Sequence, residues 1–373
     1  MLKTALRFMI YDKAKTIGAL LGVVIANFLI GQQSGIFIFL TNAMSALVDN
    51  TPTGLWIVDE NTTNVNALGQ IDVRTGRQAE SIPGVAKAYP YVVSGGSAKF
   101  KNGKSFGVLL IGSEPPYFKG GPWNLMQGST FDLLRDYAIT TEYFDRESLG
   151  GTGYGDDFEI NGHRVEVVAQ TRGARGFGAA YVFTTIARAR AIGNVPENKV
   201  NAYLVDLKPG ANPDSVRNAI NRHIYGVRAW TPEEFSKATV KTVLGSSGIA
   251  ISTGSLIAFA VVSGLVIIGL TLYSAAVDRI KDYATIKAIG ADNSYIWQLI
   301  LTQALLIATV GYLVGSLLLE GFRYGISTQG AIFNFSLLIR AGFLFITLII
   351  SVGGAFFAIR RITKAEPASV FRA

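Results

Sequence analysis

The chain of 373 residues contains no cysteine and only two histidines. No disulfide or thiolate metal site can form, although the absence also permits an oxidising compartment. His163 and His223 have no second histidine or cysteine at ligand spacing, so no metal centre is expected. Charge is scarce as well. Charged residues make up 16% of the chain, against about 25% in soluble domains. The shortage is local: residues 16–48, 242–277, 295–319 and 341–359 carry no charge at all.

A helix of about 20 apolar residues, rising 1.5 Å per residue, crosses about 30 Å of hydrocarbon. All four runs meet that length. The first two exceed it, and their domain-side ends, "TNAMSALVDN" and "KTVLGSSG", are only moderately apolar. Each is therefore read as a span that continues as a stalk. The first run is also far longer than the apolar core of a cleaved signal peptide and reads as a retained anchor. The expected order is a cytosolic segment 1–15, helix and stalk 16–48, an outer domain 49–241, stalk and helix 242–277, a cytosolic stretch 278–294, helix 295–319, a short outer loop 320–340, helix 341–359 and a cytosolic tail 360–373.

The sides are assigned by counting bases, because lysine and arginine are retained on the cytosolic face. Lys3, Arg7, Lys13 and Lys15 stand at the start, Arg279, Lys281 and Lys287 in the middle stretch, and Arg360, Arg361, Lys364 and Arg372 in the tail. These three segments hold most of the excess in a chain of net charge +8. The outer domain is nearly neutral, and 320–340 has only Arg323 and Arg340 as bases. The basic balance is thus a topology signal, and no nucleic-acid partner is expected. It puts both termini and the stretch 278–294 on the cytosolic side and the large domain and the short last loop outside; the family resemblance given below implies that this is the bacterial inner membrane, multi-pass, with the large domain periplasmic.

The outer domain reads as mixed α/β: a βαβ-type subdomain, which the family resemblance given below implies is porter-like, and a hairpin-rich subdomain, inserted between helices 1 and 2 of a four-helix membrane protein. Asn102-Gly103 and Asn161-Gly162 are each flanked by alternating apolar residues, the pattern of a tight β-hairpin. Residues 212–224 read as a helix with Asn212 as cap, Pro213 in the first turn and Val216, Ile220 and Ile224 at helical spacing. "TPEEF", 231–235, reads as a capped helix start. The glycine-rich "GARGFGAAYVF", 173–183, lacks the following lysine and helix that a phosphate loop needs. "AKFKNGKS" has Ala98 where such a loop needs glycine. No catalytic constellation is found, and the chain is not expected to be an enzyme.

Within the first span, Gly18 and Gly22, and Gly31 and Gly35, place small residues four apart, which lets helices approach closely and is read as packing or dimer contact. Asn27, Gln32 and Gln33 are polar groups inside the same run. They are read first as interhelical hydrogen bonding, or else as a polar seam along a substrate route.

Between the second and third spans lies "VDRIKDYATIKAIGADNS", 277–294, three acids and three bases in a greasy neighbourhood. It has good helix formers, no proline, and Gly290 as a terminator. At 100° per residue its apolar side chains fall on most sides, unlike a helix that floats on lipid. A helix held partly by its own spans and partly by a protein partner fits better.

"DYATIKAIGADNSYIWQLILTQALLIATVGYLVGSLL" resembles the signature of the FtsX-like, MacB-type permeases of ABC transporters, with the DevC-type group as the nearest likeness. "FMIYDKAKTIGALLGVV" and the tail "RRITKAEPASVFRA" are similar to that group too. The resemblance implies that 279–290 is a coupling helix seated in a separate ABC ATPase subunit, which binds the ATP and Mg; this chain itself has no cofactor. Arg279, Asp282, Tyr283, Ile286, Lys287, Ile289 and Gly290 are the residues expected to form that coupling element. It further implies a dimer of permease copies, membrane lipid around them, and a periplasmic adaptor (membrane fusion protein) with an outer-membrane channel. The implied activity is export of a lipid, glycolipid, peptide or hydrophobic small molecule. The alternatives are a mechanotransmitter that moves no substrate, or a lipoprotein-extracting permease.

Overall fold

A computed structural model describes residues 2–278 and 280–363. Arg279 and the tail beyond 363, with Lys364 and Arg372, lie outside the described residues. The chain divides into two compact units, 1–38 with 249–373, and 39–248.

The first unit is helical. It contains α1 (Leu2–Tyr11), the first part of α2 (Lys13–Asp49), and four helices that follow the second unit. Numbered after those of the second unit, they are α7 (Ile249–Asp278), α8 (Ile280–Ala288), α9 (Asn293–Ser327) and α10 (Leu337–Thr363). Among the described residues, α2, α7, α9 and α10 are the helices long and apolar enough to cross a membrane. Several run past the uncharged stretches that announced them. Thus α9 continues through Glu320 and Arg323, where the sequence led us to expect a loop, because Arg323 pairs with Glu320 along the helix at 2.7 Å and Arg340 joins that carboxylate at 2.6 Å.

Glycine sets how closely these helices pack. A Cβ on Gly22 would lie 2.5 Å from Ile267 of α7, and one on Gly31 would lie 2.3 Å from Leu319 of α9. A Cβ on Gly35 would meet the Phe333 ring at 2.4 Å. Gly18 differs, with Thr271 at an ordinary 3.8 Å. The small faces at Gly22, Gly31 and Gly35 are thus filled from within the chain. The expectation of a dimer contact through those three positions is corrected: a second copy has no room there. Tightest against backbone is Gly354 of α10, whose Cβ would stand 2.9 Å from the Gly269 amide nitrogen of α7. A side chain can rotate away, but a helix backbone must move as a body. Gly354→Val is therefore expected to destabilise the bundle by about 1–3 kcal/mol, seen as a lower thermal midpoint of the detergent-solubilised chain, whereas Gly18→Ala leaves that midpoint in place.

The second unit is the mixed α/β domain. In chain order it holds the end of α2, β1 (Leu55–Asp59), β2 (Ile71–Asp72), α3 (Arg74–Glu80), β3 (Val85–Lys99), β4 (Ser105–Ser113), β5 (Leu125–Gln127), β6 (Ala138–Glu142), β7 (Asp157–Ile160), β8 (His163–Thr171) and β9 (Ala180–Thr185). It continues with α4 (Ile186–Gly193), β10 (Lys199–Val200), β11 (Ala202–Leu207), α5 (Pro213–His223), β12 (Val227–Trp230) and α6 (Pro232–Ser247). The main sheet runs β12-β1-β11-β3, with β3 going on to pair with β4 and β7, and β9 lying parallel to β4.

Period-two alternation sorts the strand residues between two cores. Leu55 and Ile57 of β1, with Tyr203 and Val205 of β11, face Val216 and Ile220 of α5. Trp56, Val58 and Leu204 point the other way and meet Tyr91, Leu47 of α2 and Phe235 of α6. The hairpin-rich part has its own core around Phe100, Leu110, Phe158, Ile160 and Val167.

Asn161 and Gly162 both take positive φ, 50° and 79°, and close the β7–β8 hairpin with Ile160 opposite His163. The β3–β4 hairpin also forms, but its connection is longer, with Gly103 at φ 78° and Lys99 opposite Ser105. Asn212 caps α5 by accepting from the Asp214 and Ser215 amides, and Thr231 caps α6 in a capping box with Glu234. The expected single element 242–277 is split: α6 ends at Gly248, which takes φ 67°, and α7 starts anew at Ile249.

Candidate functional site

The charged stretch between α7 and α9 folds as the separate short helix α8. Its end is set locally: Gly290 takes φ 107°, and the Gly290 and Ala291 amides donate back to Lys287 and Ile286 carbonyl oxygens at 3.0 and 3.1 Å. Two residues on, Asp292 caps α9 by accepting from the Tyr295 amide at 2.8 Å. Gly290 therefore acts through backbone conformation, as the sequence predicts for a terminator.

α8 is two-sided. Lys281, Asp282 and Thr285 are exposed, as is Ile289 just past its last residue, at 83%, where the Ile289 amide still donates to the Thr285 carbonyl at 3.1 Å and keeps the helical phase. Tyr283 and Ala284 are buried, and Ile286 and Lys287 are half-buried. At 100° per residue the exposed group spans one contiguous arc, Ile286 borders it, and Lys287 falls between Tyr283 and Ala284 on the bundle side. The Tyr283 ring lies 5.7 Å from the Phe8 ring of α1. The expectation that Tyr283 meets a partner is thus revised: at 4% exposure its ring is a packing contact that holds α8 against the bundle. Lys287 is half-buried on the bundle side of that arc.

The junction is tied further by Lys15 of α2. Its ammonium forms an ion pair with Asp278 at the end of α7, donates to the Ser274 carbonyl at 3.4 Å, and lies 3.7 Å from Asp12. Charges at this end of the bundle therefore serve two purposes: Lys15 and Asp278 join helices, while Lys281 and Asp282 remain on the surface.

The polar residues of α2 separate likewise. Asn27 is buried, donates to the Tyr312 carbonyl at 3.3 Å and accepts from Thr347 at 3.4 Å, which links α2, α9 and α10. Gln32 and Gln33 are half-buried. They sit more than a quarter turn from Asn27 on the helix, so the three do not share a stripe and the polar-seam reading is corrected. Asn27 is a helix–helix hydrogen-bonding residue.

Sequence reasoning missed one polar knot in the second unit. Glu142, fully buried at the end of β6, accepts from the Gly173 amide at 2.7 Å, the Ala174 amide at 2.8 Å, the Thr171 hydroxyl at 2.7 Å and the Phe144 amide at 3.3 Å. Nearby, Asp145 pairs with Arg175 at 2.7 Å. Burial pushes both carboxyls above their ordinary range; in Glu142 the hydrogen bonds oppose this, and in Asp145 the Arg175 guanidinium does. The knot anchors the start of the glycine-rich segment that follows Arg172, where Gly173 and Gly178 take positive φ of 95° and 79° and a Cβ on Gly176 would lie 2.3 Å from the Tyr181 ring. Among the described residues, no three His, Asp or Glu side chains gather as a metal site.

Four helices able to cross a membrane, one α/β domain inserted after the first of them, and a short two-sided helix between the second and third define a multi-pass membrane protein with an extramembrane insertion. Comparison with known proteins agrees. Residues 16–223 match the MacB-like periplasmic core domain, and residues 254–367 match the FtsX-like permease C-terminal domain. The chain belongs to the FtsX-like, MacB-type permeases of ABC transporters, and with that family comes an ABC ATPase partner.

Among solved structures, the periplasmic region of MacB from Actinobacillus actinomycetemcomitans is similar at 13% identity and TM-score 0.38, over 54% of this chain and 99% of that one. The extracellular domain of the noncanonic ABC-type transporter YknZ from Gram-positive bacteria is similar at 14% identity and TM-score 0.35, over 48% of this chain and 98% of that one. No curated protein matches the chain.

Proposed function

We propose that this permease is the membrane subunit of a DevC-like ABC exporter, and that α8 is the handle through which a separate ATPase subunit drives it. The observation that carries the reading is the two-sided α8, tied to the bundle through Tyr283 and presenting Lys281, Asp282 and Ile289 outward. A subunit without a nucleotide site can be switched only by a partner that binds its two states differently. A short helix with a fixed inner face and a free outer face suits such a partner.

In this reading α8 and both termini lie in the cytosol, as the distribution of bases favours, and the second unit lies in the periplasm. Two permease copies work with the ATPase, which holds ATP and Mg, and a periplasmic adaptor and outer-membrane channel complete the route. The cargo class is a lipid, glycolipid, peptide or hydrophobic small molecule.

The test is reconstitution of the permease with its ATPase in lipid vesicles. ATP hydrolysis is expected to rise when a cargo of the correct class is supplied, with labelled cargo released from the vesicle membrane. Hydrolysis that no lipid or peptide stimulates, and that moves none, would favour a subunit that only transmits force.

A further inference from the structure

α1 is three-sided. Its ten residues include no acid. Ala5 is buried, and Phe8 and Met9 are half-buried, with Phe8 against Tyr283. At 100° per residue the next arc is Leu2, Leu6 and Ile10, which are 57%, 39% and 63% exposed. Beyond it stand Lys3 and Arg7, both exposed.

An apolar arc left open beside a basic one is poorly suited to water. It matches a bilayer surface, where apolar side chains enter the acyl boundary and bases meet headgroups. Two further observations point to lipid as the occupant. The helix that follows shows the same kind of face, with Ile17, Leu21 and Ile25 each at least half exposed at four-residue spacing, as a lipid-facing span requires. The chain also breaks between α1 and α2 at Asp12, where the Thr16 hydroxyl donates to the Met9 carbonyl at 2.8 Å, so α1 is not simply the first turns of the span.

We infer that α1 docks on a membrane surface of anionic phospholipid, with Leu2, Leu6 and Ile10 in the acyl boundary and Lys3 and Arg7 on the headgroups. Because Phe8 packs on Tyr283, a lipid-held α1 also braces α8. That consequence rests on the reading of α8 as the ATPase handle; the docking itself does not.

The absence of cysteine makes a direct test clean, since one introduced thiol takes one spin label. The full chain carrying Leu6→Cys or Ile10→Cys is placed in vesicles of phosphatidylcholine, with or without phosphatidylglycerol. Collision of the label with oxygen and with a water-soluble nickel complex is then measured. Labels at Leu317→Cys, 74% exposed on α9, and at Tyr225→Cys, 93% exposed in the second unit, are the lipid and water references. With phosphatidylglycerol present, both α1 labels are expected to resemble the Leu317 label. Each base near an anionic surface contributes on the order of fivefold, so Lys3→Gln with Arg7→Gln should lower the docked-to-undocked ratio by roughly tenfold or more. Omitting phosphatidylglycerol should act in the same direction in the chain with its bases intact, independently of that variant. Labels as water-accessible as Tyr225 in both membranes overturn the inference. So does shielding that neither lipid charge nor the glutamine variant alters, and so does shielding that appears only when the ATPase subunit is added, which would make α1 a protein interface. The depth reading needs no ATPase, so it can fail while the assignment of α8 stands, or stand while that assignment fails.

Discussion

Ile289→Asp combined with Asp282→Arg is expected to weaken association of the permease with its ATPase by on the order of a hundredfold, the loss of about 3 kcal/mol that follows when an interface anchor is truncated and a charge reversed. Both positions lie on the exposed arc of α8, and neither supports the bundle, so folding should be unchanged. Co-purification of the two subunits, with thermal unfolding of the permease alone as control, reads both quantities. Tyr283→Ala provides the contrast. It removes the ring that packs on Phe8, so the permease itself should lose stability, with weaker coupling as a secondary effect. Unchanged affinity in the double variant would show that the ATPase docks elsewhere.

The second large effect is expected far from α8. Glu142→Ala leaves the amides of Gly173, Ala174 and Phe144 and the Thr171 hydroxyl without their buried acceptor. A broken buried network of this kind costs about 3–4 kcal/mol, and the segment after Arg172 should become the first site of limited proteolysis. Glu142→Gln should cost less, since one oxygen remains to accept while the amide nitrogen opposes the Ala174 amide. The sign with pH follows from burial. The folded carboxyl titrates above an unfolded glutamate, so this group's contribution is complete below the unfolded value and is lost as pH rises through the folded one. Acidification across that window should therefore stabilise the domain through Glu142, and Glu142→Gln should flatten that part of the slope in a pH series of thermal midpoints.

What was legible in the sequence follows from how local each cause is. Spans are legible because a run without charge is a property of neighbours. The Asn161-Gly162 hairpin is legible because two adjacent residues supply both positive φ angles, and the Asn212 and Thr231 caps act within three residues. The small faces of α2 were legible as close approaches, but spacing cannot say whose helix approaches; Ile267, Leu319 and Phe333 lie hundreds of residues away. The mismatch of Asn27 with Gln32 and Gln33 could have been found, since helical phase alone separates them. Which side of α8 was free could not, because that depends on Phe8 of α1. The Glu142 knot gave no signal at all: three of its four donors, on Thr171, Gly173 and Ala174, come from a strand and loop about 30 residues on, and an isolated glutamate looks like any surface acid. Gly248 lay within an uncharged run and was read through as one element, because glycine only permits a break and does not require it.

The fifteen residues of β3 pair along their first half with β11 and along their second half with β4, reaching β7 at the end. One strand is therefore common property of the porter-like and hairpin-rich parts, and neither can lose its edge without stripping hydrogen bonds from the other. Subdomains joined by a linker can melt, exchange or be swapped one at a time. Subdomains that share a strand cannot, so the periplasmic insertion should behave as one cooperative folding unit, and recombining its two halves between relatives would have to preserve β3 whole.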